Sequence, residues 1–536
     1  MQPAPPQSAT DAMTQTLRQH PVQSDATPCP HEHPDRPPQT YVFTGGGSGG
    51  HVNPALAIAD GIKSAKPNSR IEYIGARGKI EAELVPTRGY PIHLVHARGL
   101  PSRKKLLPLL AFALVTGLGI LQCLTLILKI KPDIIVATGG YASSPVLFAL
   151  WILRTLHLTS ARCFIHEQNV VPGLVNRIAG RIADRIGVSF LETARFFHPS
   201  KVVHVGYPIR KEISSVHREQ ARQDLKIPEQ STVIFAFGGS QGARSINRGL
   251  IDALPELLCN KRIYIFHVLG IQDSPEYHAE DDASTRIASL GMGTEELSRY
   301  HSMRYAHDIQ TYYAASDVII GRAGAGTVTE ICAGGRPSIL IPLPNAPGDH
   351  QALNARTLES GGAAYVLYEE ATLEEGRPVG TVDGQQLSRL ILQLDESPQK
   401  RKQMGESALR LFDKKGLERI MGELTFPAFT PNQDSPLKST MASDLETVST
   451  MTPFQLLRKL DADEQTTIET IGHGYLRYKA DGYLTNERWQ VRNVGVKIAG
   501  ILKYQKKLPL LLSMLRDRTP VSRVQRLFGG DFQQVG

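Results

Sequence analysis

Two stretches of this chain repeat one pattern: a short apolar run, a cluster of glycines, then a run with helical periodicity. In the first, Tyr41-Val42-Phe43-Thr44 leads into Gly45-Gly46-Gly47-Ser48-Gly49-Gly50-His51, and residues 54–59 read as a helix. In the second, the run 232–237 leads into Gly238-Gly239-Ser240-Gln241-Gly242-Ala243-Arg244. A strand that turns through glycine into a helix opens a parallel α/β layer, because the helix must return over the sheet. Further strand-like runs follow each unit, at 70–74, 133–137, 162–165 and 202–205, then at 263–269, 318–320 and 338–341. Two such series predict an α/β fold of two doubly wound, Rossmann-like domains facing a cleft. The ligand is expected against the C-terminal ends of the strands.

The expected boundaries are 40–207 for the first domain and 208–427 for the second. Residues 1–39 are rich in Pro, Gln, Thr and His, lack the apolar stretch of a secretory signal, and read as a disordered tail. Residues 428–452 are Ser/Thr/Pro-rich and read as a linker. The rest, 453–536, is an α-helical extension with helices at 454–457, 491–502 and 508–515 and a HEAT-like flavour.

A Gly-rich turn before a helix leaves backbone N–H groups free at the positive end of the helix dipole, which suits a diphosphate. Gly45, Gly47 and Gly50 also match the dinucleotide fingerprint G-x-G-x-x-G. That reading requires an acid at the end of the second strand for a ribose hydroxyl. Here that strand ends Ile74-Gly75-Ala76-Arg77, so a dinucleotide is disfavoured. A third glycine turn, Gly321-Arg322-Ala323-Gly324-Ala325-Gly326-Thr327, precedes a helix carrying Glu330. Glu330 either chelates a ribose diol or merely complements the helix dipole. Asp349-His350-Gln351 with Asn354 either reads hydroxyls or base edges, or only caps a helix from Ala352 onward.

The net charge of +8 suits an acidic partner such as anionic lipid, pyrophosphate or nucleic acid, without choosing among them. The five cysteines are odd in number and widely spaced, with no C-x-x-C pair. This argues against a disulfide framework or a zinc site and for a reduced, cytosolic protein.

Six motifs in order resemble the MurG family. They are the loop Gly45 to His51, Thr138-Gly139-Gly140-Tyr141, His166-Glu167-Gln168-Asn169, the loop Gly238 to Arg244, Arg322 to Glu330, and His350-Gln351 with Asn354. The resemblance covers about residues 40–425. It implies a GT-B fold and inverting transfer of N-acetylglucosamine (GlcNAc) from UDP-GlcNAc to lipid I, giving lipid II for peptidoglycan. It implies no cofactor, no metal and no nucleic-acid partner. By this resemblance Glu330 holds the ribose hydroxyls, and Arg210, Ser240, Gln241 and Gly242 meet the diphosphate. His350 and Gln351 contact GlcNAc, with Gln351 the firmer assignment because some members carry Gln where this chain has His350. Ala306 and Ile309 flank uracil. Ser48, Gly49, Gly50 and Asn169 complete the nucleotide-sugar set where it borders the acceptor. Gly45, Gly46, Gly47, Gly139, Gly140 and Tyr141 form the acceptor and diphosphate loops. His51 is the candidate base, since an ordinary imidazole titrates near neutrality (~6.5); loop support or acceptor binding is its rival role. A GT-B transferase with another lipid acceptor, and a non-catalytic scaffold recruited through the helical tail, remain as alternatives.

Residues 106–128 carry no charge, and Arg98, Arg103, Lys104, Lys105, Lys129 and Lys131 flank them. At ~1.5 Å per residue such a helix approaches the thickness of a bilayer core. It lies inside the first α/β layer, however, and spanning would pull that layer apart. The expectation is a helix partly buried and partly on the membrane surface, meeting anionic phospholipid at the cytoplasmic face of the inner membrane. A fully buried helix and a spanning one are the alternatives.

Overall fold

The computed structural model describes residues 38–101, 106–209, 213, 216–239, 241–271, 277–344, 346–374, 377–425, 451–486, 489–504, 507 and 510–511. The expected tail and linker lie almost entirely outside these residues.

The first sheet holds seven parallel strands: β1 (Thr40–Gly45), β2 (Arg70–Ala76), β3 (Ile92–Val95), β4 (Ile134–Gly139), β5 (Arg162–Glu167), β6 (Arg185–Val188) and β7 (Val202–His204). Their order is β3-β2-β1-β4-β5-β6-β7. The second sheet holds β8 (Thr232–Phe237), β9 (Ile263–Val268), β10 (Tyr300–Met303), β11 (Val318–Gly321), β12 (Ser338–Leu340) and β13 (Ala364–Val366), ordered β10-β9-β8-β11-β12-β13. Central strands covered on both faces read as unbroken apolar runs. Accordingly β4 and β8 are buried at every position. The strands that sequence reading missed include β3, β10 and β13, short strands at sheet edges with partly exposed residues. It also missed β6, which opens on Arg185, and an antiparallel hairpin of β14 (Glu370–Glu374) and β15 (Arg377–Thr381).

In each sheet the order reverses beside the first strand, between β1 and β4 and between β8 and β11. Loops after neighbouring strands diverge there and leave a crevice at the C-terminal edge. Helix α1 (Gly49–Ala65) leaves the first crevice. It starts five residues earlier than the sequence reading placed it. Helices α2 (Leu106–Ile130) and α3 (Ser144–Thr155) pack together on one face of the first sheet. At the second crevice stand α4 (Arg244–Leu258), α5 (Ala325–Gly334) and α6 (His350–Ser360). After the second series the chain returns: Ile420 and Leu424 of α7 (Gly416–Thr425) are buried in the core of the first sheet with Tyr41, Phe43 and Ile58.

The extension contributes α8 (Pro453–Ala462), α9 (Glu464–Ile471), α10 (His473–Leu484) and α11 (Trp489–Ile501). Helix α10 was not foreseen. Its charged and aromatic residues suggest a solvated face, yet Tyr475, Tyr478, Lys479, Asp481 and Tyr483 are all buried. Most of the expected helix 508–515 lies outside the described residues.

Candidate functional site

Both crevices are lined by the glycine turns. Gly139 and Gly140 have φ of +93° and +79°, which a side chain resists. A Cβ on Gly140 would also lie 2.1 Å from the carbonyl oxygen of Gly46. The two turns therefore pack backbone to backbone, and the Tyr141 ring lies against Gly47.

Glu81 changes the reading of the first turn. It is fully buried, and its carboxylate accepts hydrogen bonds from the N–H groups of Gly47 (3.0 Å) and Ala76 (3.1 Å). The Gly46 N–H donates to the Gly139 carbonyl at 3.2 Å. Two donors expected to cradle an anion are thus already used. Among the described residues no acceptor meets the N–H groups of Ser48, Gly49 and Gly50, the opening of α1. The anion-binding capacity of this turn sits there, at the helix start. The acid absent from the end of β2 arrives five residues later and serves the loop itself, which further disfavours a dinucleotide. Glu81→Ala leaves the buried Ala76 N–H unpaired, at about 1–3 kcal/mol, and frees the more exposed Gly47 N–H. A fall in thermal stability is the expected result, and an unchanged melting curve overturns this account.

His51 stands in the first turn of α1, half-buried. Its Nδ1 lies 2.9 Å from the Thr138 carbonyl oxygen and 3.3 Å from Gln168 Oε1. Both are acceptors, so Nδ1 carries the proton and Nε2 keeps its lone pair. The chain of bonds continues inward. Gln168 Nε2 donates to the His166 carbonyl at 2.8 Å and lies 3.1 Å from His166 Nδ1, while His166 Nε2 donates to the Gly206 carbonyl at 2.9 Å. Burial lowers the His166 pKa to about 4, with the Gly206 bond opposing, so that ring is neutral at pH 7. One tautomer per ring follows, fixed from the interior outward. Asn169 turns back on Glu167, whose other oxygen accepts from Gly173 N–H and Asn176 Nδ2.

At the second crevice Gly242 (φ +85°) and Gly270 (φ +99°) pack backbone to backbone; a Cβ on Gly242 would lie 2.1 Å from the Leu269 carbonyl oxygen. Gln241 and Gly242 precede α4. Ala306 is buried, and Ile309 opens the helix after β10. Glu330 is half-buried in the second turn of α5. His350 and Gln351 open α6. Gln351 Oε1 accepts from the Leu343 N–H at 3.0 Å, which leaves its Nε2 to donate elsewhere. Arg210 and Ser240 lie outside the described residues. Gln241, Gly242, Ala306, Ile309, Glu330, His350 and Gln351 follow C-terminal strand ends of the second sheet, so its topology gathers them on one edge.

The two crevices meet. Asn354 is fully buried; its Oδ1 accepts from Val170 N–H at 3.4 Å and its Nδ2 donates to the Ala323 carbonyl at 3.1 Å. Val170 and Val171 pack with Leu353, and Val171 lies against Gly348. Asn354, read from sequence as a cap or a reader of hydroxyls or base edges, is thus a bridge between the loop after β5 and the turn after β11.

The turn before α6 is unusual. Gly348 and Asp349 both have positive φ, +63° and +52°. For a non-glycine residue this costs on the order of 1–3 kcal/mol and persists only where neighbours enforce it. Asp349 occupies the N-cap position of α6, yet its side chain caps nothing there. Its carboxylate instead accepts from Lys479 Nζ and, at 3.0 Å, from Tyr475 Oη of α10. Burial works against the Lys479 charge, but Asp349 beside it prevails and the pKa stands above the ordinary lysine value.

The chain is 35% identical over 382 residues to the UDP-N-acetylglucosamine--N-acetylmuramyl-(pentapeptide) pyrophosphoryl-undecaprenol N-acetylglucosamine transferase of Desulforudis audaxviator, covering 71% of this chain and 96% of that protein. The chain belongs to the MurG family. A relative of the same name from Halothermothrix orenii is 35% identical over 373 residues, 69% of this chain and 94% of its own. The glycosyltransferase family 28 N-terminal domain matches residues 41–188, and the family's C-terminal domain matches 233–420. In fold, the chain resembles the crystal structure of Acinetobacter baumannii MurG, with a TM-score of 0.52 at 23% identity, covering 72% of this chain and 98% of that one. The GT-B, MurG-type fold expected from the motifs is therefore present. Helices α8–α11 lie beyond both matched ranges.

Proposed function

We infer that this chain transfers GlcNAc from UDP-GlcNAc to lipid I, forming lipid II in peptidoglycan synthesis. The observation that carries this is the match along 96% of the length of a relative bearing that activity in its name. Radiolabelled UDP-GlcNAc with a lipid I analogue tests it. Label must appear in the lipid product; transfer only from another sugar nucleotide, or only to another lipid, overturns it.

In this reading His51 Nε2 takes the proton of the acceptor hydroxyl as that oxygen bonds to the sugar carbon. The bond to UDP breaks on the opposite face, so configuration inverts and the transition state has oxocarbenium character. Negative charge growing on the leaving diphosphate is met by helix N-termini and loop N–H groups at Gln241 and Gly242, with Ser240 and Arg210. Glu330 holds the ribose, Gln351 and His350 the sugar hydroxyls, and Ala306 with Ile309 the uracil. Ser48, Gly49, Gly50 and Asn169 border donor and acceptor. The turn Gly45-Gly46-Gly47 with Gly139, Gly140 and Tyr141 shapes the acceptor side.

A peripheral seat on the cytoplasmic face of the membrane belongs to the same reading, because its acceptor is lipid-linked. Helix α2 is long and apolar enough to cross a bilayer by length and composition, with 17% of its most apolar window buried. Leu107, Leu110, Leu114, Leu118 and Leu121 form an exposed stripe at helical spacing, while Cys123, Ile127 and Ile130 are buried against the sheet core. One face in the core and one face bare suits an interfacial helix better than a spanning one. Leu114→Glu with Leu118→Glu is expected to move the chain from the membrane to the soluble fraction. Retention of the wild type through high-salt and carbonate washes counts against the interfacial reading.

A further inference from the structure

The extension has no part in the reaction described so far, yet α10 is built into the turn that carries His350 and Gln351. Asp349, Lys479 and Tyr475 are 5%, 7% and 2% exposed, so the Asp349 carboxylate has exchanged water for two partners on α10. An unpaired buried carboxylate is costly, so this turn holds its geometry through α10. A second grip is independent of the first. Tyr478 Oη donates to the Leu343 carbonyl at 3.3 Å, and the Leu343 N–H donates to Gln351 Oε1 at 3.0 Å. One residue of α10 thus holds the segment that orients the Gln351 amide. Apolar packing closes around both: Ala352 is buried with Leu456, Leu460 and Leu476, the Tyr478 ring lies 4.6 Å from that of Tyr368, and Arg356 stands 5.4 Å over Tyr475.

We propose that the C-terminal extension is a positioning element for sugar recognition, in which Lys479, Tyr475 and Tyr478 of α10 hold Leu343 and the turn 348–351 so that Gln351 presents its amide to the GlcNAc moiety. This rests on the reading that places Gln351 at the sugar. The residues assigned to uracil, ribose and diphosphate follow other strands, β7, β8, β10 and β11. Loosening α10 therefore weakens grip on the sugar and spares UDP. Misplacement of a recognition group by about 1 Å is enough for large losses.

The test uses the full chain with Lys479→Met, Lys479→Arg and Tyr478→Phe, and titration calorimetry with UDP-GlcNAc and with UDP separately. Lys479→Met is expected to weaken UDP-GlcNAc roughly ten- to a hundred-fold, with UDP nearly unchanged. Donor KM rises in parallel while acceptor KM stays, and Lys479→Arg restores most of the loss. Tyr478→Phe removes one hydroxyl from a retained ring, so it folds even if Lys479→Met does not, and a several-fold loss for UDP-GlcNAc alone is expected. Equal weakening of both ligands, or unchanged UDP-GlcNAc affinity beside a lower melting temperature, overturns the proposal. A wild-type chain that binds UDP-GlcNAc but labels no lipid I analogue overturns the acceptor reading alone, since the binding comparison needs no transfer.

Discussion

Alanine at position 51 lowers kcat for GlcNAc transfer by about 10²- to 10⁴-fold, the range of a lost general base, with donor KM little changed. The expectation comes from the hydrogen-bond chain. Nδ1–H is committed to Thr138 and Gln168, so the ring offers only the Nε2 lone pair to a reacting hydroxyl. Gln168 cannot turn its amide over without losing its bonds to His166, and His166 is neutral and tied to Gly206. Gln168→Leu should therefore reproduce part of the His51→Ala loss in kcat without altering donor affinity. The steady-state assay with lipid I analogue decides it. Near wild-type turnover in His51→Ala assigns the ring to loop support instead, and the Thr138 bond alone would then explain its place.

Glu330→Ala raises the donor KM by roughly ten- to a hundred-fold, the worth of about 1.5–3 kcal/mol for a hydrogen bond to a charged group. Because ribose belongs to the nucleotide, affinity for UDP falls together with affinity for UDP-GlcNAc. That parallel loss separates this residue from α10, whose variants should affect the sugar nucleotide alone. Glu330→Gln keeps one acceptor oxygen and should fall between. Donor KM and UDP affinity both at wild-type values would remove Glu330 from the ribose and leave it as a partner of the helix dipole.

The features legible in the amino-acid sequence are those whose cause is local. β4 and β8 announce themselves because a strand covered on both faces is apolar at nearly every position. The glycine turns announce themselves because only glycine permits that backbone and that closeness. Parallel pairing then puts every such turn at one edge of its sheet, so the residues on those turns are gathered by topology alone. Edge strands such as β3 and β10 escape notice, since only one residue of each is fully buried and their apolar runs are too short to stand out.

What the fold added lies in partners far apart along the chain. Glu81 reaches Gly47 across 34 positions and takes a donor that the glycine turn alone offers a phosphate. Asn354 joins Val170 across 184 positions, tying one crevice to the other. Lys479 meets Asp349 across 130 positions, in a helix whose charges suggest a wet surface. A buried charge is tolerated only beside its counter-charge, and no local pattern announces a partner on another element. The repeated strand–glycine–helix unit, with the motifs around it, thus determined two nucleotide-type sheets and the family. Only tertiary packing decided which loop donors stay open, which nitrogen of His51 is tied to Thr138 and Gln168, and that the C-terminal helices reach the turn before Gln351.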